Sequence, residues 1–282
     1  MGVAMKKHKK PNDWVELTGS FTSTDVRALK KLGPIERLSI RESPRLTAKL
    51  AQAFASLTSV SWLWLWCDVT RTAMRHVLAI PGLKTLDVLS FTSPGKLQGF
   101  SSATSLEVIR ANHYLTEADL LEMTSCSSLR EIGAQNSALS PRVIEAMLNL
   151  PNLESVDLEA TAFDDEMARE ISRSKRLLSL DVGATRLTRQ GLLHICRMQQ
   201  LRSLDLWATS LEERDIALLV QLPNLEYVSI GDVEGGTKFN AESLLPRLAA
   251  MKSLQRIWLD GIDVNVHQRA QLEARFSNVR LT

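Results

Sequence analysis

Three consecutive stretches of this chain align without a gap: LESVDLEATAF (153–163), LLSLDVGATRL (177–187) and LRSLDLWATSL (201–211). Apolar residues recur at positions 1, 4, 6 and 11 of each stretch, and a threonine stands at position 9. The stretches begin at residues 153, 177 and 201, so the unit repeats every 24 residues. A repeat of this length predicts supersecondary units that stack and share one continuous core.

The same frame extends in both directions along the chain. It recurs as IERLSI (35–40), VSWLWL (60–65), LKTLDV (83–88), LEVIRA (106–111), LREIGA (129–134), LEYVSI (225–230), LQRIWL (254–259) and FSNVRL (276–281). Between the frames lie segments with helical spacing, such as SPRVIEAMLNL (140–150), which open on helix-capping residues. About eleven units of strand and helix therefore predict a parallel α/β solenoid over residues 35–282.

The pattern L-x-x-L-x-L-x-x-T-x-L resembles the leucine-rich repeat family over about residues 35–282. The resemblance implies a right-handed solenoid, or horseshoe, with parallel strands on a concave face and helices on a convex face. The sequence departs from the family at position 9, where Asn or Cys is usual and Thr161, Thr185 and Thr209 stand here. A threonine hydroxyl can still bond the turn backbone, so we expect the turn to be retained.

The first 34 residues differ from the repeats that follow. Residues 1–10 carry a cluster of lysines without an apolar run and are expected to form a disordered basic tail. Residues 11–34 resemble a degenerate first repeat, with a helix start at Ser23 or Thr24 and a stop at Gly33. We interpret this segment as the N-terminal cap that a repeat array needs to cover its end.

The composition excludes several classes of function. The net charge of +2 in 282 residues argues against a dedicated nucleic-acid binder. The odd number of cysteines, three, and the absence of a CxxC pair indicate thiols in a reducing compartment, and no apolar run reaches the length of a membrane span. We therefore expect a cytoplasmic protein without membrane contact, in which Cys67, at position 8 of its repeat, is a surface thiol.

Catalytic chemistry has no recognisable motif in this chain. The sequence contains no HExxH, GxGxxG, GxxxxGK[ST] or GxSxG motif, and its five histidines are scattered. Stacked aspartates are present, but a single column of carboxylates lacks the enclosing oxygens that calcium needs. The sequence predicts a protein that is not an enzyme, with no cofactor and no metal site.

The frame decides which side of SVSWLWLWCD (59–68) is buried. Positions 1, 4 and 6 face the core, whereas positions 3, 5 and 7 face the concave surface, so Trp62, Trp64 and Trp66 project outward. Three half-exposed indoles present about 300 Å² of apolar surface, the size of a functional patch. The alternative is that Arg37 and Arg41 on the adjacent strand, or the N-terminal segment, cover the indoles.

Other outward positions carry charge or aromatic rings. Position 5 stacks Asp157, Asp181 and Asp205, whose like charges repel across neighbouring strands. One interpretation is a counter-surface for Lys or Arg of a partner; the other is that neighbouring serines at position 3 satisfy each carboxylate. Arg110 occupies the same column, and a second aromatic group follows at Trp207, Tyr227 and Trp258.

The function predicted from these positions is recognition of another protein on the concave face, by a module such as an inhibitor or an immunity protein. The partner is expected to offer a basic surface and apolar anchor sites. The predicted contact residues are Trp62, Trp64, Trp66, Arg110, Asp157, Asp181, Asp205, Trp207, Tyr227 and Trp258. The alternatives are a substrate-recognition arm or adaptor of an enzyme complex, and a carbohydrate-binding repeat protein.

Overall fold

The computed structural model describes residues 4–8, 14–42, 45–92, 96–111, 114–232 and 238–282. The chain divides into two compact units. Unit 1 comprises Met1–Ala138 and Asn149–Leu153, and unit 2 comprises Leu139–Leu148 and Glu154–Thr282. No helix among the described residues is long and apolar enough to cross a membrane.

Unit 1 contains seven strands and four short helices among its described residues. The strands are β1 (Ala4–His8), β2 (Trp14–Thr18), β3 (Arg37–Arg41), β4 (Trp62–Thr70), β5 (Thr85–Thr92), β6 (Val108–Ala111) and β7 (Glu131–Gly133). The helices are α1 (Ser23–Ala28), α2 (Ala48–Ala51), α3 (Met74–Val77) and α4 (Glu117–Met123). From β2 to β7 each strand pairs in parallel with the next one along the chain, and β1 is antiparallel to β2.

Unit 2 repeats the arrangement, and its described helices span seven to ten residues except for one of four residues. Its strands are β8 (Ser155–Asp157), β9 (Ser179–Asp181), β10 (Ser203–Asp205), β11 (Tyr227–Gly231), β12 (Arg256–Asp260) and β13 (Asn278–Leu281). Its helices are α5 (Pro141–Leu148), α6 (Asp165–Ile171), α7 (Arg189–Ile195), α8 (Glu213–Ile216), α9 (Ala241–Ala250) and α10 (Val266–Arg275). The strands pair in parallel and in chain order.

The core lies between the strands and the helices of each unit. In β4 and the residues before it, Val60, Leu63 and Leu65 are fully buried, as the repeat frame predicts for positions 1, 4 and 6. Helix residues line the other side of each unit's own core. In unit 2, for example, Leu192 and Ile195 of α7 are fully buried. The prediction of alternating inward and outward positions is therefore confirmed.

The turn after each short strand of unit 2 is built by the threonine at position 9. The hydroxyls of Thr161, Thr185 and Thr209 donate to carbonyl oxygens three residues earlier at 2.7, 2.6 and 2.8 Å. The residue before each threonine is an alanine in the left-handed region, with φ values of 55°, 52° and 51°. The expectation that threonine retains the turn is confirmed, and the strand ends at position 5 because the chain then turns.

Two details at the N-terminal end differ from the sequence expectation. Helix α1 is capped by Thr22, one residue earlier than expected, because Thr22 and Asp25 form a reciprocal capping box. Within the segment expected to be a tail, residues 4–8 form β1, which hydrogen-bonds to β2. Residues 1–3 and 9–13, which include the start of the expected cap, lie outside the described residues.

Cys67 is not a surface thiol. Strand β4 continues to Thr70 instead of turning at position 8, so Cys67 points inward and is buried. Burial, with the charge of Asp68 adding to it, raises the pKa of this thiol to about 12. A thiol in that state is a weak nucleophile at neutral pH.

Candidate functional site

The candidate site is the strand face, by which we mean the side of each unit's sheet that carries positions 3, 5 and 7. In β4 the residues of this side are half-buried or exposed and alternate with the buried leucines. In the three-residue strands of unit 2, such as β9, the two outer residues are half-buried around a buried centre. The strand face of unit 1 and that of unit 2 differ in chemistry, and each is described separately.

Unit 1 presents four indoles and two guanidinium groups on β2, β3 and β4. We call this set the tryptophan cluster; its members are Trp14, Trp62, Trp64, Trp66, Arg37 and Arg41. The register places Arg37 between Trp14 and Trp62, and Arg41 beside Trp66. The rings of Trp14 and Trp64 have centroids 6.4 Å apart, and those of Trp64 and Trp66 are 5.0 Å apart with an interplanar angle of 54°. Both separations suit tilted aromatic packing.

Arg41 occupies the centre of this cluster. Its guanidinium carbon lies 5.9 Å from the ring centroid of Trp14, 5.6 Å from that of Trp64 and 5.1 Å from that of Trp66. Each distance is within the range of a cation–π interaction. The carboxylate of Glu16 is 3.7 Å from Nε of Arg41, which makes an ion pair without a hydrogen bond. The cluster is thus a surface in which the rings hold a cation in place.

Trp62 is held by two other neighbours. The guanidinium carbon of Arg37 lies 4.7 Å from its ring centroid, and its Nε1 donates a hydrogen bond of 2.6 Å to Asp87. Both alternatives for covering the indoles therefore apply in part, because Arg37 and Arg41 lie over the rings and Trp14 of the N-terminal segment packs on Trp64.

Trp66 is the indole of the cluster that stays open. Its side chain is 39% exposed, and Leu89 on β5 is 41% exposed. The pairing of β4 with β5 shifts between Leu65 and Asp68, so that Trp66 and Cys67 together lie opposite Leu89. A bulge of this kind re-aims the side chains beside it. The result is a pair of exposed apolar side chains on neighbouring strands at the rim of the tryptophan cluster.

Arg110 takes part in a charge network. It donates to Asp87 at 3.0 Å and to Glu131 at 2.6 Å. Burial disfavours the charge of Arg110, but hydrogen bonds and attraction from Glu131 and Asp87 outweigh it and raise the pKa of the guanidinium. Asp87 and Glu131 thus hold the side chain of Arg110 in place. Its guanidinium group already pairs with carboxylates of the same chain.

The strand face of unit 2 carries a ladder of carboxylates, consisting of Asp157, Asp181, Asp205 and the adjacent Glu159. Each aspartate accepts a hydrogen bond from the backbone N–H two residues later, at Glu159, Gly183 and Trp207, with distances of 3.1, 2.9 and 2.9 Å. These hydrogen bonds come from turn backbone, whereas one of the two interpretations of the sequence assigned them to the position 3 serines. A further hydrogen bond joins Asp205 to Ser229 on the next strand.

Burial is the main cause that raises the pKa values of Asp181, Asp205 and Glu159 in this acidic ladder. Burial is the main cause at Asp181, the charges of Asp205 and Asp157 add to it, and the pKa rises to about 8. Burial also raises the pKa of Asp205, and burial together with the charge of Asp157 raises that of Glu159. Asp181 therefore retains at neutral pH a proton that an isolated carboxyl group would lose.

The proximity of these carboxylates bears on metal binding as well. Single oxygens of Asp157, Glu159 and Asp181 lie within 4.8 Å of one another, which is close enough for one cation. Packed acidic side chains reach such distances without an ion, and a protonated Asp181, whose pKa is raised to about 8, lies beside the other carboxylates with less like-charge repulsion. We assign no metal site here.

The second aromatic group does not form a cluster. Among the described residues, the rings of Trp207, Tyr227 and Trp258 make no contact with one another. Arg256 lies 5.5 Å from the ring centroid of Tyr227, and Arg280 lies 3.8 Å from that of Trp258. Each ring therefore has its own cationic neighbour, except Trp207, whose Nε1 is enclosed without a hydrogen-bond partner. The sequence predicts them as one group because they share outward positions in successive repeats.

Comparisons with known proteins identify the fold. Neither a family model nor a curated protein sequence matches the chain. Among solved structures, an internalin (inlF) from Listeria monocytogenes str. 4b F2365 is similar, with a TM-score of 0.51 and 14% identity over 88% of this chain and 76% of that chain. TLR13, in its complex with ssRNA13, has a TM-score of 0.49 and 17% identity over 94% of this chain and 39% of its own. The chain has the leucine-rich-repeat fold that its sequence resembles.

Proposed function

We propose that this leucine-rich-repeat chain is a non-catalytic recognition module that binds a partner protein on its strand face. One observation carries the proposal: Trp66 and Leu89 expose about two fifths of their side chains next to each other on neighbouring strands of unit 1. Contiguous apolar exposure on an ordered sheet marks an interaction surface more often than isolated exposed residues do. Tryptophan is also enriched among the residues that dominate binding energy.

The surrounding side chains support this use of the surface. Trp64 and Arg41 hold Trp66 in place, so a partner meets a surface that is already ordered and loses less entropy on binding. Asp87 accepts hydrogen bonds from Trp62 and Arg110 and holds both side chains in place. They form an ordered edge of the proposed contact surface. An apolar side chain of the partner then replaces water over Trp66 and Leu89.

For unit 2 we propose that the acidic ladder favours a basic region of a partner. A Lys or Arg side chain placed near Asp181 would favour the charged form of that carboxyl group, whose pKa is raised by burial and by the neighbouring charges of Asp205 and Asp157. Such binding releases the proton that Asp181 retains, so affinity should increase as the pH rises toward 8. Trp207, Tyr227 and Trp258 are the proposed flanking contacts.

The form of recognition that we favour is occlusion of the partner, as by an inhibitor or an immunity protein. A rigid preformed surface suits this role because it blocks another surface without a conformational step. We also place the protein in the cytoplasm, since Cys67, Cys126 and Cys196 are all free thiols, as expected in a reducing compartment. An adaptor role would use the same face and is separated by the identity of the partner.

Affinity capture from a lysate of the source organism tests the proposed function. We expect the wild-type chain to retain a discrete partner that the variant Trp66→Ser/Leu89→Ser loses. The matched control is Val220→Ser/Val266→Ser, which changes two side chains that are 68% and 87% exposed in helical segments away from the strand face. The proposal is wrong if Trp66→Ser/Leu89→Ser retains every partner, as the control variant should. It is also wrong if the captured material is a carbohydrate that a panel of oligosaccharides elutes, and not a protein.

A further inference from the structure

Arg41 has more hydrogen-bonding capacity than its surroundings use. A guanidinium group has five N–H donors and no acceptor. Among the described residues the side chain of Arg41 makes no hydrogen bond, its Nε is enclosed without a partner, and the carboxylate of Glu16 stays at 3.7 Å. The side chain is nevertheless 38% exposed, so its open part is reachable from solvent.

The rings around Arg41 fix the guanidinium without satisfying it. Three indoles attract the cation through their faces, and a face contact leaves the planar edge of the guanidinium available. That edge matches a carboxylate, which can accept two parallel hydrogen bonds from it. Because the rings already restrict the side chain, pairing with a carboxylate loses less conformational entropy than it would at a mobile surface arginine.

We propose that the tryptophan cluster binds an acidic segment of the partner protein, in which a Glu or Asp carboxylate pairs with Arg41 and a neighbouring apolar side chain packs on Trp66 and Leu89. This inference rests on the proposed function, and it adds the chemistry of the partner at unit 1. Trp66 joins the two halves of the contact, since its ring lies 5.1 Å from the guanidinium carbon of Arg41 and its side chain is exposed beside Leu89.

The charges of unit 1 favour a single carboxylate over a polyanion. Glu16 lies beside Arg41, and Asp87 and Glu131 lie on the strand face of β5 and β7. A nucleic-acid strand crossing this face would bring successive phosphates toward these carboxylates, which repel them. An acidic side chain flanked by apolar residues brings one negative charge to Arg41, where Glu16 is the carboxylate nearest to the guanidinium, and places its apolar neighbours on Trp66 and Leu89.

Peptide selection tests the inference with the full-length chain. A display library of random twelve-residue peptides is selected on the wild-type protein and counter-selected on Trp66→Ser/Leu89→Ser, so that binders of the strand face are enriched. We expect the enriched peptides to share a Glu or Asp within two residues of a large apolar residue. In the wild type, replacing that acidic residue by its amide should weaken binding about tenfold.

The protein side of the same contact is tested by a double-mutant cycle. Arg41→Gln should weaken the acidic peptide about tenfold and make it indifferent to the peptide's own Glu→Gln change. Arg41→Lys keeps the charge but not the planar fork, and should lose part of the affinity, which preserves the test if the Gln variant fails to fold. Arg142→Gln, an exposed position on α5, is the matched control and should bind as the wild type does.

The outcomes separate this inference from the proposed function. Peptides that need Trp66 and Leu89 but lack acidic residues, or that ignore Arg41→Gln and Arg41→Lys, overturn the inference and leave the proposed function standing. A selection that yields no peptide dependent on the strand face counts against both. Two further competitors, the oligonucleotide dT15 and inorganic phosphate, should fail to displace the bound peptide. If either of them displaces it at a lower concentration than unlabelled peptide does, the inference is also overturned.

Discussion

Replacing Asp181 by asparagine is expected to raise the melting temperature at pH 8 by about 4–8 °C. The carboxyl group of Asp181 is buried beside Asp157 and Asp205, and its pKa is raised to about 8. An amide resembles the protonated acid, carries no charge, and still offers an oxygen to the N–H of Gly183. Relief of about 2 kcal/mol at pH 8 gives the stated shift for a chain of this size.

The same substitution should flatten the pH dependence of stability. Asp181 binds its proton more tightly in the folded chain, with a pKa of about 8 against 3.8 for the ordinary group. Its contribution to stability is therefore fully present below pH 4 and is lost as the pH rises toward 8. Between those values the wild type should lose stability relative to Asp181→Asn, and below pH 4 the two should converge.

Thermal unfolding followed by circular dichroism from pH 3 to pH 9 measures both effects. Asp263→Asn, at an exposed position, serves as the control and should follow the wild type throughout. If Asp181→Asn is less stable than the wild type at pH 8, or if the two pH profiles run parallel, burial beside Asp157 and Asp205 does not raise the pKa of Asp181 as described.

Replacement of Trp64 by alanine should mainly lower the stability of the fold, whereas replacement of Trp66 should mainly weaken partner binding. Trp64 packs against the rings of Trp14 and Trp66 and against Arg41, so Trp64→Ala should destabilise the fold by about 3 kcal/mol. Trp66 is 39% exposed, and Trp66→Ala should cost about 1 kcal/mol or less in stability. Partner binding should instead weaken about thirtyfold in Trp66→Ala, because an exposed anchor contributes mainly to the complex.

Denaturant unfolding gives the stability of each variant, and titration with the partner or with a selected peptide gives its affinity. The contrast between the two variants matters more than either value. Equal stability losses at both positions, with affinity unaffected by Trp66→Ala, would mean that the tryptophan cluster only supports the fold. Trp66→Phe, which keeps an aromatic ring at the same position, should recover part of the affinity.

The repeat frame predicts most of the fold because its leucines recur at fixed spacing. Leu63 and Leu65 are buried and the three tryptophans of β4 face the other side, as the alternation requires. The frame does not predict where β4 ends. This strand continues to Thr70 instead of turning, and Cys67 is therefore buried. Periodicity could not show this, because the bulge opposite Leu89 depends on the pairing of β4 with β5.

The candidate site was only partly readable from the sequence. Their shared position 5 in successive repeats predicts that Asp157, Asp181 and Asp205 are neighbours. It does not predict the backbone N–H groups that donate hydrogen bonds to these carboxylates. The three rings held by Arg41 involve Trp14, which lies in a degenerate segment where the repeat pattern is weak. Leu89 was missed as a contact residue, although its outward position 7 beside Trp66 was a usable signal.

Site-specific photo-cross-linking tests the central claim, that a partner protein binds the strand face at the tryptophan cluster. A photoreactive phenylalanine analogue is introduced at position 89 in one variant and at position 266, an exposed site on α10, in another. Irradiation in cells of the source organism should give a discrete covalent adduct from position 89 and none of that mass from position 266. The claim is contradicted if position 89 gives no adduct, or if both positions give the same adducts.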